Sequence, residues 1–203
     1  MMRKVGMEER IASISRTTKE TDISLVLNLD GTGESDVQTG IGFFDHMLTA
    51  FSRHGLFDLE LRAQGDLEVD GHHTVEDTGI VLGQAFGQAL GDKRGIRRFG
   101  SLALPMDEAL VLAACDISGR GQLHWAVDVP PVMIGQFDAS LAKEFFIAFA
   151  ANAGVTLHLH SISGENAHHI VEATFKAAAR ALREAVEEDP RAAGALPTTK
   201  GAL

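Results

Sequence analysis

Several residue types are rare in this sequence, and cysteine and tyrosine are the clearest cases. Its 203 residues include one cysteine, Cys115, and no tyrosine. A single cysteine cannot form an intrachain disulfide, so a fold stabilised by disulfide bonds within the chain is excluded. Cys115 lies in an apolar run and is expected to be a small core residue. The near absence of cysteine is typical of a reducing setting, and we therefore expect the protein to be cytoplasmic.

Basic residues and long apolar runs are also scarce. The 18 lysine and arginine residues are outnumbered by 28 aspartate and glutamate residues, which gives a net charge of −10. A general nucleic-acid surface is not expected, because binding to phosphate backbones needs clustered cations. No apolar run reaches the roughly 18–20 residues that cross a bilayer, and Arg3 and Lys4 are not followed by a hydrophobic signal core. We predict a protein without nucleic-acid or membrane partners.

Histidine, by contrast, is abundant and clustered. Nine histidines are present, and four of them fall in two copies of the pattern His-His-x-Val-Glu, at 72–76 and 168–172. On a helix, residues four apart share a face, so the first histidine of each copy lies over the glutamate. Adjacent histidines point about 100° apart and more naturally serve different sites. A lone His-x-x-x-Glu is usually a surface pair, but two copies of the longer pattern indicate a repeated metal centre.

The hydrophobic pattern also repeats, and it divides the chain into two halves. After a loose stretch at 1–9, the order β-β-β-α-β-α occurs in 10–92 and again in 93–189, and 190–203 form a tail. We predict an α+β fold in which two mixed sheets pack on a central layer of helices. Helices are predicted at 43–55, 72–90, 137–153 and 166–188, and strands at 10–16, 23–29, 34–39, 56–61, 102–104 (interrupted by Pro105), 109–117, 122–129 and 155–162.

Alignment of the two halves adds further candidate ligands. It pairs His46 with Glu144 near the start of each half's first helix, and both residue types bind metal ions. An ordinary polar residue at a helix start is the alternative for each. Pseudo-twofold symmetry suggests one site made by His72, Glu76, Glu144 and His169, and a second made by His46, His73, His168 and Glu172. Imidazole and carboxylate ligands without thiolate favour Mn²⁺, Fe²⁺ or Zn²⁺. Whether the ligands meet within one subunit or across an interface stays open.

Beyond these spacings, the sequence resembles the imidazoleglycerol-phosphate dehydratase family of histidine biosynthesis, in its monofunctional form. The resemblance covers nearly the whole chain from Arg10 onward, and the two His-His motifs together are its most specific part. Many members of the family have histidine where this chain has Glu144. The matching stretches are FFDHML (43–48), HGLFDLEL (54–61), DGHHTVEDTGIVLGQA (70–85), GIRRFG (95–100), PMDEAL (105–110), DISGRG (116–121), TLH (156–158), NAHHIVEATFKAAARALREA (166–185) and PTTKGAL (197–203).

The resemblance implies a reaction, a cofactor and an assembly. The reaction is the dehydration of D-erythro-imidazole glycerol phosphate to imidazole acetol phosphate, through an imidazolate held between two Mn²⁺ ions. The assembly is a homo-oligomer, a 24-mer with active sites at subunit interfaces. The C-terminal tail contributes to the active site. Glu20 is implied as the acid/base, the eight residues of the two sites as metal ligands, and His54, Arg98, Arg120, Thr198, Thr199 and Lys200 as substrate contacts.

Several of these positions carry no signal of their own. From the residues alone, Glu20 is a polar residue before a strand, and Arg98 and Arg120 are ordinary turn residues. Asp107 and Glu108 follow a proline, where a cap or turn role is as plausible as a catalytic one. The remaining histidines, His124, His158 and His160, are expected to be structural.

Two other classes of protein could use the same metal ligands. A metal-storage or metal-sensing oligomer would have no need of the cations Arg98, Arg120 and Lys200. A metallohydrolase acting on a phosphate ester would need a metal-bound water directed at phosphorus. The products formed from imidazole glycerol phosphate separate these classes from a dehydratase.

Overall fold

The structure, a computed structural model, describes residues 10–192 and 194–203. The loose stretch predicted at residues 1–9 lies outside these ranges. Within them the chain forms two four-stranded sheets, one two-stranded hairpin and four α-helices. Among the described residues, no helix combines the length and the apolar character needed to cross a membrane.

The first sheet and two helices are built from the first half of the chain. The strands are β1 (Ile11–Thr17), β2 (Thr21–Asn28), β3 (Ser35–Gln38) and β4 (Asp58–Gly65), and the helices are α1 (Gly42–Gly55) and α2 (His72–Leu90). The strand order is β1-β2-β4-β3. β2 is antiparallel to both of its neighbours, whereas β3 is parallel to β4 because helix α1 carries the chain back between them.

The second half repeats this arrangement. Its elements are β5 (Phe99–Met106), β6 (Ala109–Asp116), β7 (Gln122–Ala126), β8 (Met133–Ile134), β9 (Phe137–Asp138), α3 (Leu141–Ala153), β10 (Thr156–Ser163) and α4 (Ala167–Val186). The large sheet has the order β5-β6-β10-β7, with two antiparallel pairs and one parallel pair. The short hairpin of β8 and β9 is the one added element. The predicted α+β fold with two mixed sheets is confirmed.

The helices form the layer between the two sheets. α2 packs on the first sheet and along α3, whereas α4 packs on the second sheet and along α1. The second helix of each half therefore lies beside the first helix of the other half. Alternate residues of the strands, such as Leu25 and Leu59 in the first sheet and Leu157 in the second, are buried against this layer. Each candidate metal-binding motif lies near the start of a helix. The packing of α2 on α3 and of α4 on α1 therefore determines which motifs lie close together.

Several predicted boundaries differ from the structure, and two of these differences have identifiable reasons. Strand β5 does not stop at Pro105 but continues through it, because β5 is an edge strand and proline's missing N–H costs no ladder hydrogen bond there. Helix α3 begins at Leu141 and not at Phe137, because Phe137 is buried in the β9 strand. Asp138 then accepts hydrogen bonds from the backbone and side chain of Ser140 just before the helix.

Candidate metal and substrate site

Three predicted ligands, His46, His168 and Glu172, meet where α1 lies along α4. The Nε2 atoms of His46 and His168 lie 3.3 Å and 3.0 Å from Oε2 of Glu172. One ligand atom from each residue lies within 4.8 Å of the other two, a spacing at which the three could share one ion. In the described part of the chain, no other group of three histidine, cysteine or acidic side chains converges in this way.

Local sequence explains how this group is positioned. The side chain of Asn166 accepts a hydrogen bond of 2.9 Å from the backbone N–H of His168 and so caps the start of α4. The helix therefore begins at Ala167, and His168 and Glu172 share one of its faces. Helix α1, packed along α4, presents His46 to that face.

Glu172 is held in its charged form by a neighbour that the sequence analysis did not single out. Its side chain is only 8% exposed, and Nζ of Lys176 lies 2.6 Å from Oε1. Burial disfavours the charged carboxylate, but the hydrogen bond and charge of Lys176 outweigh it and lower the pKa of Glu172. The spacing of four residues from Glu172 to Lys176 on one helix was the signal available in the sequence. An ionised carboxylate is the form that binds a metal ion.

The corresponding pair in the first half is looser. Nε2 of His72 lies 3.8 Å from Oε2 of Glu76, and the Glu76 side chain is 47% exposed. The predicted third member, Glu144, is half-buried on α3. It does not complete a convergent group of three with His72 and Glu76 within this chain.

Close packing nevertheless brings Glu144 to the same end of the helix pair as His72. Gly79 and Gly83 of α2 lie against α3, where an added Cβ would be 2.6 Å from the carbonyl oxygens of Phe145 and Phe149 respectively. Only glycine permits so close an approach. Because the contacts advance in the same direction along both helices, α2 and α3 run parallel, and Glu144 lies toward the start of α2.

The second histidine of each motif points elsewhere and is oriented by a carboxylate. Nδ1 of His73 lies 3.0 Å from Asp66, and Nδ1 of His169 lies 2.7 Å from Glu108. Hydrogen bonding to these carboxylates raises the pKa of both histidines, and the His169 contact, together with backbone N–H donors such as that of Asn166, lowers the pKa of Glu108 to about 2. A carboxylate on Nδ1 leaves Nε2 free, as in many histidine ligands of metals.

Within one chain, neither of the two predicted four-ligand sites is complete. His73 is not brought to the group of His46, His168 and Glu172, and His169 is not brought to His72. Each Nε2 instead faces an acidic turn of its own half. Asp66 could not be identified from the sequence, because an acidic residue seven positions before His73 forms no recognisable pattern with it.

The two acidic turns are equivalent in the fold. The turn between β1 and β2 places Oε2 of Glu20 3.9 Å from Nε2 of His73. The turn between β5 and β6 places Oδ2 of Asp107 3.7 Å from Nε2 of His169. Glu20, which resembles the family's acid/base, therefore lies beside a candidate metal ligand without being one of the converging group.

The predicted phosphate contacts line one cavity of about 530 Å³ near the C-terminus. Among the described residues, no carboxylate pairs with Arg120 or with the side chain of Lys200. Both are therefore available to an anion. The predicted residues on this cavity are Arg98, Arg120, Thr198, Thr199 and Lys200.

Arg98 has a different role in this cavity from the other cations. Its guanidinium donates to both carboxylate oxygens of Asp116, at 2.7 Å and 3.1 Å, and to the carbonyl oxygen of Pro197 at 2.8 Å. The pairing with Asp116 raises the pKa of Arg98. Arg98 thus fastens the C-terminal tail to the second sheet, and this positions Thr198 and Lys200.

His54 lies in the last turn of α1, away from the tail cavity. Burial lowers its pKa, and the positive charges of Lys176 and Arg180 lower it further. A neutral imidazole at neutral pH can accept a hydrogen bond or donate one. The lysine that pairs with Glu172 thus connects His54 electrostatically with the converging metal ligands.

The donor set fits a divalent transition ion. The converging group offers two imidazole nitrogens and one ionised carboxylate, and it contains no thiolate. The carboxylates on His73 and His169 supply the orienting contacts that metal-bound histidines use. Mixed imidazole and carboxylate donors suit Mn²⁺, Fe²⁺ and Zn²⁺ better than Mg²⁺ or Ca²⁺.

Comparisons with known proteins point to one family. The profile of the family described as imidazoleglycerol-phosphate dehydratase matches residues 39–182. A protein of that name from Gluconacetobacter diazotrophicus is 64% identical over 194 residues, which is 96% of this chain and 98% of that protein. Its namesake from Acidiphilium cryptum is also 64% identical, over 96% of this chain and 99% of that protein.

Solved structures give the same result. The imidazoleglycerol-phosphate dehydratase of Staphylococcus aureus superposes with a TM-score of 0.80 at 39% identity, covering 88% of this chain and 99% of that chain. The Pyrococcus furiosus structure, a complex with a ligand, has a TM-score of 0.80 at 40% identity and covers 94% and 100%.

Proposed function

The chain belongs to the imidazoleglycerol-phosphate dehydratase family, and from this we propose that it converts D-erythro-imidazole glycerol phosphate into imidazole acetol phosphate and water. The enzyme class is a hydro-lyase of histidine biosynthesis. The observation that best supports the proposed substrate and metal is the convergence of His46, His168 and Glu172 at the start of a duplicated motif. A substrate that carries an imidazole and a phosphate needs both a metal site and cations.

The substrate presents a chemical difficulty that defines what the site must do. The hydrogen to be removed lies on a carbon that bears a hydroxyl, and it is not acidic by itself. Two Mn²⁺ ions, held by the eight predicted ligands, would supply Lewis acidity toward the imidazole ring and a template for its binding. The residues of the chain must then orient the glycerol phosphate and move protons near it.

Glu20 is proposed as the group that moves those protons. It is exposed, and its carboxylate lies 3.9 Å from Nε2 of His73, so it is close to a proposed ligand yet free to reach a substrate. A carboxylate in this position can take a proton from the carbon or return one to the departing hydroxyl. Asp107 has the equivalent place beside His169 and is the alternative.

Phosphate recognition is proposed for the cavity at the C-terminal tail. Arg120 and Lys200 contribute charge, and the hydroxyls of Thr198 and Thr199 contribute hydrogen bonds. Arg98 contributes mainly by holding the tail, since Asp116 already neutralises its charge. A protein that only stored or sensed metal would have no use for such a cavity.

A homo-oligomer, proposed as a 24-mer, is expected to complete the metal sites. Within one chain, His73 and His169 do not reach the converging group, so the partition into two four-ligand sites requires residues from more than one copy. Metal binding and assembly should then be coupled. Sedimentation with and without Mn²⁺ tests this, and an identical particle under both conditions would contradict it.

Incubation of the Mn²⁺-loaded protein with imidazole glycerol phosphate tests the reaction itself. The proposal expects the ketone product, imidazole acetol phosphate, with the phosphate ester intact. Release of inorganic phosphate would identify a metallohydrolase. Retention of metal without any product would favour a storage or sensing protein. Removal of the metal by a chelator should abolish ketone formation, and addition of Mn²⁺ should restore it.

A further inference from the structure

Three histidines outside the proposed active site form a row on the outer face of the second sheet. His158 is paired with His124 across the parallel strands β10 and β7, and His160 follows two residues later on β10. The rings of His124 and His158 are stacked, with centroids 4.2 Å apart and an interplanar angle of 11°. The rings of His158 and His160 are 6.3 Å apart and also parallel. All three side chains are exposed.

The fold does not impose this row. In the first sheet, the pair corresponding to His158 and His160 is Glu60 and Arg62 on β4, and Asp36 on β3 takes the place of His124. Those residues form an ordinary surface ion pair between Arg62 and Asp36. At these three equivalent positions, the first sheet therefore carries charged side chains of both signs, whereas the second sheet carries three imidazoles.

The three imidazoles have no competing partner. In the described part of the chain, no hydrogen bond or ion pair joins His124, His158 or His160 to another protein group; their contacts are with each other. The facing positions of the neighbouring strands are occupied by Ala114 and Leu112, which carry no charge. The nitrogens of all three rings are therefore free to accept a ligand.

We propose that His124, His158 and His160 form a second metal site, which takes an imidazole-preferring divalent ion such as Ni²⁺, Cu²⁺ or Zn²⁺. Two histidines separated by one residue on a strand lie on the same face, and the third comes from the adjacent strand. A set of three histidines leaves further coordination positions open to water or a small ligand. Without a carboxylate, this site disfavours Mn²⁺ relative to the mixed site.

Binding requires only that exposed side chains rotate. The rings are stacked and do not yet converge, whereas nitrogens around one zinc ion are about 3–3.5 Å apart because each Zn–N bond is about 2.0–2.1 Å. Exposed side chains change rotamer within about nanoseconds. Burial by its neighbours and the charges of His124 and His160 also lower the pKa of His158, so proton release costs little near neutral pH.

Calorimetric titration of the Mn²⁺-loaded full chain with Ni²⁺ tests the proposal, with bound Mn²⁺ measured before and after by elemental analysis. We expect the bound Ni²⁺ to exceed any Mn²⁺ released by about one ion per chain, because Ni²⁺ also competes with Mn²⁺ for mixed imidazole and carboxylate sites. His124→Asn and His160→Asn should each weaken this binding by at least about tenfold. The matched control is Glu60→Gln, at the equivalent place on the first sheet, which should leave it unchanged.

Two results would overturn the proposal. One is Ni²⁺ binding that is unaffected in both histidine variants, and the other is uptake of Ni²⁺ that only matches the Mn²⁺ released. The single thiol is not expected to bind Ni²⁺ in this experiment, because Cys115 is buried and burial raises its pKa to about 12. Circular dichroism and the dehydration assay on each variant would show that the fold and the proposed active site are intact.

Discussion

The two halves of this chain share a scaffold but differ in how their metal motifs are prepared. In the second half, Glu172 is buried, ionised by Lys176 and already in contact with His168 and His46. In the first half, Glu76 is half exposed, and its Oε2 lies 3.8 Å from Nε2 of His72, which is a looser contact. The residue four positions after Glu76 is the uncharged Ile80. The duplication thus preserved the ligand pattern, whereas the cation that organises it is present on one helix only.

Within one chain, three proposed ligands of one site already converge, whereas the ligands of the other site do not. His46 and Glu144 occupy equivalent places, yet only His46 joins a converging group. The α2 and α3 pair is held close by Gly79 and Gly83, whereas no glycine of α1 or α4 makes such a contact between those two helices. The contrast therefore accompanies two differences, the closer packing of α2 on α3 and the lysine that is present only beside Glu172.

The largest effects are expected from removing the equivalent glutamates. Glu172→Gln and Glu76→Gln should each lower turnover by more than about 10⁴-fold, because a neutral amide binds metal poorly and the Lewis acid is lost. Bound Mn²⁺ should fall by about one ion per chain in each variant. Elemental analysis with a ketone assay checks this, and a variant that keeps both ions and full turnover would remove that glutamate from the site.

A smaller effect should separate the two acidic turns. Glu20→Gln keeps the size of the side chain but removes its titratable group, and it should lower turnover by about 10²- to 10⁴-fold with Mn²⁺ content and assembly retained. Its matched control is Asp107→Asn in the equivalent turn, for which we expect less than about a tenfold loss. Turnover and bound Mn²⁺ are measured on both. Loss of Mn²⁺ from Glu20→Gln would place Glu20 among the metal ligands, and a larger loss of turnover from Asp107→Asn would exchange the two roles.

The carboxylates that orient the second histidines should matter less again. Asp66→Asn and Glu108→Gln remove the charged carboxylate contact to Nδ1 of His73 and His169, although an amide oxygen still accepts a hydrogen bond there. Loss of such a contact typically weakens metal affinity or activity by about 10- to 100-fold. Titration with Mn²⁺ should show similar losses in the two variants. Unchanged affinity in either would mean that the corresponding histidine is not a ligand.

The smallest effect concerns the stability of the metal-free protein. Pairing raises the pKa of His169 above its ordinary 6.5, so this contribution is complete below pH 6.5 and is lost as the pH rises through the raised value. The same pairing and the backbone N–H donors on Glu108 together lower its pKa from 4.5 to about 2, so their contribution is present above pH 4.5 and is lost as the pH falls toward 2. The pair therefore stabilises most between these two ordinary values.

Glu108→Gln should accordingly lower the melting temperature of the metal-free protein most near pH 5.5, by at most about 2–4 °C. Above the raised pKa of His169 the difference should shrink, because the histidine is then neutral. Thermal unfolding of the parent and the variant at pH 5.5 and pH 9 measures this. An equal difference at both pH values would show that the pair contributes through hydrogen bonding without charge.

Much of the fold could be predicted from the sequence because it follows from periodicity. The helix predicted at 72–90 has those bounds in the structure, since its apolar positions and flanking glycines leave little choice. The start of α3 could not be predicted, because Phe137 continues the apolar pattern of the helix although it lies in a hairpin. The effect of Pro105 could not be predicted either, because it depends on whether the strand lies at the edge of the sheet.

The site was predictable only in part, for a different reason. Spacing on one helix identifies His168 with Glu172, and the duplication adds His46, because both act through local geometry or symmetry. The orienting role of Asp66 depends on a loop that folds back on α2, and no pattern in the sequence encodes that. The phosphate contacts of the C-terminal tail were implied only by the resemblance to the family. In the structure these residues line one cavity, and Arg98 holds the tail there.

Simultaneous measurement of bound metal and ketone formation tests the central claim most directly. The protein is stripped with a chelator, verified to be free of metal, and then titrated with Mn²⁺ in the presence of imidazole glycerol phosphate. The account predicts no imidazole acetol phosphate at zero metal and full turnover as the content approaches two ions per chain, with the phosphate ester intact throughout. Full turnover by the verified metal-free protein would contradict it.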